Sequence, residues 1–368
     1  MNPFTGRVGL IQRVLPEYRA PFFNALGAAC PSGLGVFAGQ PKPEEMIKTV
    51  ESLEGARLTR GTNLHLFKDR LYVCIQLGLL RWLEAFNPEV LIVEANPRYL
   101  RTRAALRWMH RQGRPVIGWG LGAPPISGLL PGLRHTRRTR FIRQFDLLIT
   151  YSQTGADEYA RIGFPLDRIF VAANAVSPAP SQPLPDRPVP PGDQPARVLF
   201  VGRLQARKQV DNLLQACARL PQPLQPMLVI VGDGPERERL QALAGEIYPQ
   251  AVFTGALYGD ALAEQFRCAD LFVLPGTGGL AIQQAMSYGL PVIAAEADGT
   301  QADLVRPANG WQIPPNDLPA LQSTLAEALA DIPTLRQMGA ESYRIVAEEV
   351  NLENMVAVFI RALKRSMS

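Results

Sequence analysis

The chain has 368 residues, 47 % hydrophobic and 19 % charged, a globular mix long enough for two domains. Its net charge of +5 hides a split, because residues 1–180 carry 23 basic and 13 acidic side chains, a balance of +10 that leaves the remainder at −5. The basic half points to an anionic partner, while four scattered cysteines, only three histidines and no long apolar run argue against a disulfide framework, a zinc site and a transmembrane helix.

In chain order, residues 7–12, 33–37, 89–93, 115–119, 146–150 and 168–171 read as strands. Residues 71–86, 99–111, 134–143 and 153–161 read as helices between them. This alternation implies βαβ units and a parallel sheet. Residues 178–195 then read PAPSQPLPDRPVPPGDQP, too rich in proline for a helix or a central strand, so they are expected to form a linker. A second alternating series follows, with strands expected at 198–202, 227–232, 251–253, 271–275 and 291–295. Such near-continuous apolar runs suit parallel strands covered on both faces. Helices are expected at 209–219, 235–246, 259–268 and 280–288, and a mostly helical stretch follows residue 317. The expected domains are 1–177, 196–350 and a terminal helix over 351–368. The N-terminus lacks the apolar region of a signal peptide, and Cys30, Cys74, Cys217 and Cys268 read as core residues of a reducing compartment.

Three motifs of the second half can carry chemistry. In VGRLQARKQVDNLLQA a strand ends at Gly202, and Arg203 and Lys208 follow before a helix. That arrangement makes either a phosphate site or two solvated cations on a loop. In VGDGP, Gly232 and Gly234 permit a tight turn that lines a site or only turns the chain. In LPGTGGLAIQQAMSYGLPVI, Gly276, Thr277, Gly278 and Gly279 precede a helix starting near Leu280, and their N–H groups are expected to face an anion or a sugar.

Together these motifs resemble the C-terminal domain of GT-B glycosyltransferases of the family 4 type, over roughly residues 197–348. QRVLPEYRAPFFNAL and NAV resemble the opening and the domain junction of bacterial members. The resemblance implies an α/β GT-B fold, two facing Rossmann-like domains with the last helix returning to the first. It implies a retaining transfer from a nucleotide-diphosphate sugar, UDP-linked before GDP-linked, to a glycan or lipid-linked acceptor in cell-surface polysaccharide or glycolipid assembly. Arg203 and Lys208 would clamp the diphosphate, with no metal or other cofactor required. Gly276 and Gln284 stand where the family carries two glutamates, and Gln284 keeps the ability to hold ribose hydroxyls. Leu121 or a neighbour stands where relatives often place a histidine.

In the first half, Glu94 and Asn96 end a strand and are candidates for binding an acceptor hydroxyl or for base work, or are plain loop residues. Arg19 is expected to pair with Glu17, to be solvated, or to reach a phosphate. Arg98, Arg101, Arg103, Arg107, Arg111 and Arg114, then Arg134, Arg137, Arg138, Arg140 and Arg143, interleave with apolar residues at helical spacing. Arg19, Arg98, Arg134, Arg137, Arg138 and Arg140 are the candidates for acceptor or membrane contact. The amphipathic surfaces are expected to meet an anionic membrane at its cytoplasmic face or an acceptor phosphate, the alternative being solvated faces packed on the sheet. No nucleic-acid recognition signature accompanies them. Two other functions fit the same elements, a sugar-nucleotide epimerase and a catalytically degenerate partner protein, the latter suggested by Gly276 and Leu121.

Overall fold

The computed structural model describes residues 2–45, 47–67, 71–126, 128, 130–187, 194–297 and 299–368. The chain forms two compact units, one running to Val176 and taking in Leu352–Ser368, the other Ser177–Asn351. Residues 188–193 of the proline-rich stretch lie outside the described residues.

The first unit contains β1 (Val8–Val14), α1 (Ala20–Ala28), β2 (Leu34–Gly39), β3 (Arg57–Arg60), β4 (Thr62–Leu66) and β5 (Val73–Leu77). It continues with α2 (Leu79–Phe86), β6 (Val90–Glu94), α3 (Thr102–His110), β7 (Val116–Gly120), α4 (Pro131–Ile142), β8 (Leu147–Thr150), α5 (Gln153–Arg161) and β9 (Ile169–Val171). Seven strands make a parallel sheet in the order β3-β2-β1-β6-β7-β8-β9. The Ser152 hydroxyl accepts from the Gly155 N–H and starts α5. The terminal helix, Leu352–Ser366, belongs to this core. Its Phe359 meets Phe22 of α1 at 4.9 Å and Trp119 of β7 at 5.0 Å between ring centroids.

The sequence reading fails at residues 71–86. Only Leu79–Phe86 is helical, and Val73–Leu77 pairs antiparallel with Thr62–Leu66 in a two-stranded sheet of its own. Gly78, at φ +82°, separates strand from helix in a backbone region that favours glycine. Strands β3 and β4 were not expected at all.

The second unit contains β10 (Arg197–Val201), α6 (Val210–Ala218), β11 (Met227–Val231), α7 (Arg237–Ile247), β12 (Val252–Gly255), α8 (Gly259–Cys268) and β13 (Leu271–Leu274). It ends with α9 (Leu280–Ser287), β14 (Val292–Ala295), α10 (Thr300–Leu304), β15 (Gly310–Ile313), α11 (Leu318–Ala330) and α12 (Ile332–Glu348). Its six strands are parallel in the order β12-β11-β10-β13-β14-β15. Val198, Leu199 and Phe200 are fully buried, as are Leu271 to Val273, as expected of strands with helices on both faces. Both units are therefore doubly wound, Rossmann-like layers. Three cysteines are buried, but Cys268, the last residue of α8, is exposed and donates to Glu264.

Candidate functional site

In the second unit, two groups of residues gather where strands end. The first lines a cavity of about 490 Å³, within the range of ligand pockets. Val201, Val231, Leu257 and Leu262 give it apolar walls, Tyr258 is an exposed aromatic beside it, and Arg203 stands at its edge. Gly232 and Gly234 contribute space. A Cβ on Gly232 would stand 1.9 Å from the Gly202 carbonyl oxygen, and one on Gly234 2.2 Å from that of Leu204. The N–H groups of Gly202 and Gly232 already donate to Val231 and Gly255, so neither is available to a ligand.

The second group surrounds Lys208. Its ammonium lies over the glycine loop, 2.2 Å from where a Cβ of Gly278 would be. No carboxylate pairs with it among the described residues. Burial, and then the neighbouring Arg207, push its pKa down to about 8. The Arg207 guanidinium donates to the Thr277 hydroxyl at 3.0 Å. The Thr277 N–H, expected to face a ligand, instead donates to the Arg207 carbonyl at 3.0 Å. Gly276 is buried against that same stretch. Gln301 holds the Gly278 carbonyl with its Nε2 at 2.8 Å, while its buried Oε1 has no hydrogen-bond partner. Gln284 sits partly buried on α9, one turn beyond Gly279 and Leu280. Arg203 lines the first cavity, and the cation whose charge acts on Lys208 is Arg207. The sequence reading missed Arg207, Tyr258 and Gln301. Arg207 was visible as a third cation in the same loop.

In the first unit, a cavity of about 770 Å³ opens at the carboxyl ends of β6, β7 and β8. Glu94, Asn96, Trp119, Leu121 and Tyr151 line it together with Arg98, Arg103, Arg134, Arg137 and Arg138. Glu94 accepts from the main-chain N–H of Arg13, which the register shift in β1 presents to it. Burial outweighs that hydrogen bond and the charges of Arg13 and Arg19, and raises the Glu94 pKa to about 7. The Arg13 side chain is committed elsewhere, to Glu45 at 2.9 Å. Asn96 turns its side chain to the Arg98 N–H, an Asx turn that shapes the mouth of the cavity.

Arg19 neither pairs with Glu17 nor stands in solvent. Its guanidinium lies over Trp119 at 5.5 Å and Tyr151 at 5.3 Å, and its Nη1 is buried without a hydrogen-bond partner. Trp119 Nε1 and Arg138 Nε are in the same state. Trp119 and Arg138 line the cavity, and Arg19 reaches it only through the Trp119 and Tyr151 rings it stacks on. The other Arg138 nitrogens hold the carbonyls of Pro124 at 2.6 Å and Ala123 at 3.1 Å. Arg140 is set apart, lining a separate cavity with His135 and Arg143.

Most apolar residues of the arginine-rich segments turn inward. Ala105, Leu106 and Met109 of α3 and Phe141 and Ile142 of α4 are buried in the core of the unit, and Trp108 packs against it. What remains exposed is their charge, joined by Leu130 and Leu133 at the start of α4.

Two doubly wound units, the second with a cationic glycine-loop site at its strand ends, are the architecture of the GT-B glycosyltransferases. Solved structures agree on the fold. A lipopolysaccharide outer core galactosyltransferase, WaaB, matches with a TM-score of 0.71 at 17 % identity, over 98 % of this chain and 99 % of that one. Anabaena HepE in complex with UDP matches with a TM-score of 0.72 at 15 % identity, over 98 % and 100 %. The family described as glycosyl transferases group 1 matches residues 186–345. A GDP-mannose-dependent alpha-mannosyltransferase of Mycobacterium tuberculosis is 31 % identical over 311 residues, 78 % of each chain. A protein of the same description from Mycolicibacterium smegmatis is 48 % identical over 111 residues, which are 29 % of this chain and 27 % of the relative. The chain belongs to the group 1 glycosyltransferases.

Proposed function

We propose that the protein is a retaining transferase that moves a hexose from a nucleoside-diphosphate sugar to a lipid-linked or glycan acceptor in cell-surface polysaccharide or glycolipid assembly. Lys208 carries this reading. A half-buried ammonium with no carboxylate partner among the described residues, beside a second cation and above a glycine loop, is electrostatically unfavourable until an anion arrives. A diphosphate fits that requirement. As the glycosidic bond breaks, negative charge grows on the departing phosphate, and Lys208 and Arg207 stabilise it. The sugar then approaches an oxocarbenium ion. Retention follows when the acceptor hydroxyl attacks from the face the phosphate leaves, a phosphate oxygen taking its proton. This chemistry uses the two cations and asks for no metal, so a chelator should leave turnover unchanged.

The cavity beside Tyr258 supplies apolar walls and a stacking face for the nucleobase, with Arg203 toward the phosphates. Gln284 replaces the ribose-binding glutamate. The names of the sequence relatives move GDP-mannose ahead of the UDP-sugar that the family resemblance implied. In the first unit, the arginines around Glu94 suit an acceptor bearing a phosphate, and exposed Leu71 and Leu121 at the same cavity suit an attached lipid. Glu94, with a pKa near 7, can hold the acceptor hydroxyl and exchange its proton at neutral pH.

The test is thermal shift with GDP, UDP and ADP, followed by transfer or hydrolysis assays with GDP-mannose and UDP-hexoses. Stabilisation by GDP with turnover of GDP-mannose is expected. No stabilisation by any nucleotide would sink the donor site. Stabilisation without turnover of any sugar nucleotide would favour a degenerate partner protein, as Gly276 and Leu121 suggested.

A further inference from the structure

The β4–β5 hairpin is built inside out. Side chains alternate across a strand, and residues paired across a ladder share a face. One face here holds Asn63 with Gln76 and His65 with Cys74. It is the inner face. Asn63 donates to the carbonyls of Arg13 at 2.7 Å and Gln40 at 2.8 Å, Gln76 donates to that of Gln12 at 3.0 Å, and Cys74 is fully buried. The other face holds Leu64 with Ile75, Leu66 with Val73, and Leu77 beside Thr62. It points away from the unit, with Leu64 43 % and Leu66 39 % exposed. At the hairpin end, Phe67 is 68 % and Leu71 74 % exposed, and Phe67 is held at φ +60°, an unusual conformation for a bulky residue. An ordinary hairpin on a core has its apolar side in and its polar side out. A contiguous apolar face turned to water marks a binding surface.

Charge says what it binds. The open end of this face, at Thr62 and Leu77, runs into a cavity of about 490 Å³ floored by Phe37, Trp82 and Phe86. Arg57, Arg60 and Arg81 ring that cavity, and no carboxylate among the described residues lines it. Apolar side chains flanked by exposed arginines match the interface of an anionic bilayer, where the former enter the acyl boundary and the latter meet phosphates.

We infer that the outward face of the β4–β5 hairpin, with Arg57, Arg60 and Arg81, seats the first unit on an anionic lipid surface. This names the surface behind the lipid-linked acceptor proposed above, and rests on that reading for its purpose. Val73 belongs both to this face and to the lining of the Glu94 cavity, so a seated hairpin sets the cavity mouth against the lipid.

The experiment is flotation of the full chain with vesicles of phosphatidylcholine alone or mixed with phosphatidylglycerol. Native protein should float with the anionic vesicles only. Leu64→Ser/Leu66→Ser/Phe67→Ser should lower its partitioning at least tenfold, and Arg57→Gln/Arg81→Gln severalfold. Leu66→Trp should give a blue-shifted emission on the same vesicles. Equal flotation of the triple variant, or loss confined to Arg137→Gln/Arg140→Gln, overturns the assignment. A native dimer that the triple variant converts to monomer, with no flotation, assigns the face to a second copy instead and also overturns it. Nucleotide thermal shift on every variant reports folding and the donor site separately, so a failed donor reading is not mistaken for a failed surface.

Discussion

The main chain of Lys208 occupies the space into which a side chain at Gly276 would project. A Cβ built on Gly276 would stand 2.7 Å from the Lys208 Cα and 2.3 Å from the carbonyl oxygen of Arg207. Both neighbours are backbone, so neither can swing aside. The glycine that replaces the family's first glutamate is thus required by the loop that positions the cation. Gly276→Ala should cost about 1–3 kcal/mol through overpacking, read as a fall of about 2–4 °C in melting temperature per kcal/mol. Gly276→Glu should be worse and should not raise turnover. A Gly276→Glu protein as stable as the native one and more active would show that the loop is free to move.

Lys208 should make nucleotide binding depend on pH. Its depressed pKa, about 8, means that the free protein loses this charge within the alkaline range. Affinity for GDP, measured by calorimetry, should weaken as pH rises from 7 to 9.5. Near pH 8 binding should take up a proton, seen as a heat that changes with the ionisation enthalpy of the buffer. Lys208→Arg should flatten the profile, because its guanidinium stays charged. Lys208→Met should lower affinity at least tenfold at pH 7 while the fold survives. A pH-independent affinity in native protein would place the diphosphate elsewhere.

The two doubly wound units were legible because their strands are short apolar runs such as VLFVG and LFVLP, and parallel strands covered on both faces leave no other pattern. The hairpin was not, because residues 71–86 are apolar at most positions. Val73, Ile75 and Leu77 repeat every second residue and Leu79, Trp82, Leu83 and Phe86 at helical spacing, so the second signal hid the first. Its outward apolar face also reverses the polarity a strand is read by. The site was half legible. Lys208, the glycine loop, Glu94 and most of the arginines could be named from local motifs. The Arg19–Trp119–Tyr151 stack joins three segments that only the sheet brings together, and no local pattern announces it.

Glu94 should tilt the stability of the protein against pH. Its folded pKa is raised to about 7 from an ordinary 4.5, because burial disfavours the carboxylate. Between those values the folded protein holds a proton that the unfolded chain has released. Stability should therefore fall as pH rises through this window, by at most about 1.4 kcal/mol per pH unit from this group, and level off above it. Glu94→Gln cannot ionise and should remove that fall, measured as the difference between native and variant urea midpoints from pH 4.5 to 8. Parallel curves would mean that Glu94 stays ionised throughout. If Glu94 also serves the acceptor, Glu94→Gln should raise the Michaelis constant for the acceptor and leave nucleotide binding untouched.

Arg187 should fasten the proline-rich stretch to the second unit. Its guanidinium donates to the carbonyls of Phe266 at 2.6 Å, Tyr288 at 2.8 Å and Ala269. These lie at the end of α8 and just beyond α9, so one side chain joins two helix ends. Burial, reinforced by nearby Arg336, lowers the Arg187 pKa to about 10, so the charge is held at a cost that its hydrogen bonds offset. Tyr343 adds a second attachment by donating to the carbonyl of Gln182, and Leu184 lies against Gly289. Hydrogen bonds from a charged group contribute about 1.5–3 kcal/mol each at most, and here removing the donor leaves three carbonyls to find water. Arg187→Ala should cost about 1–3 kcal/mol and expose the segment before residue 187 to protease well below the melting temperature. Arg187→Lys should recover only part of this, since an ammonium cannot span three carbonyls with the reach of a planar fork. Native resistance to protease in Arg187→Ala would show that the remaining attachments suffice.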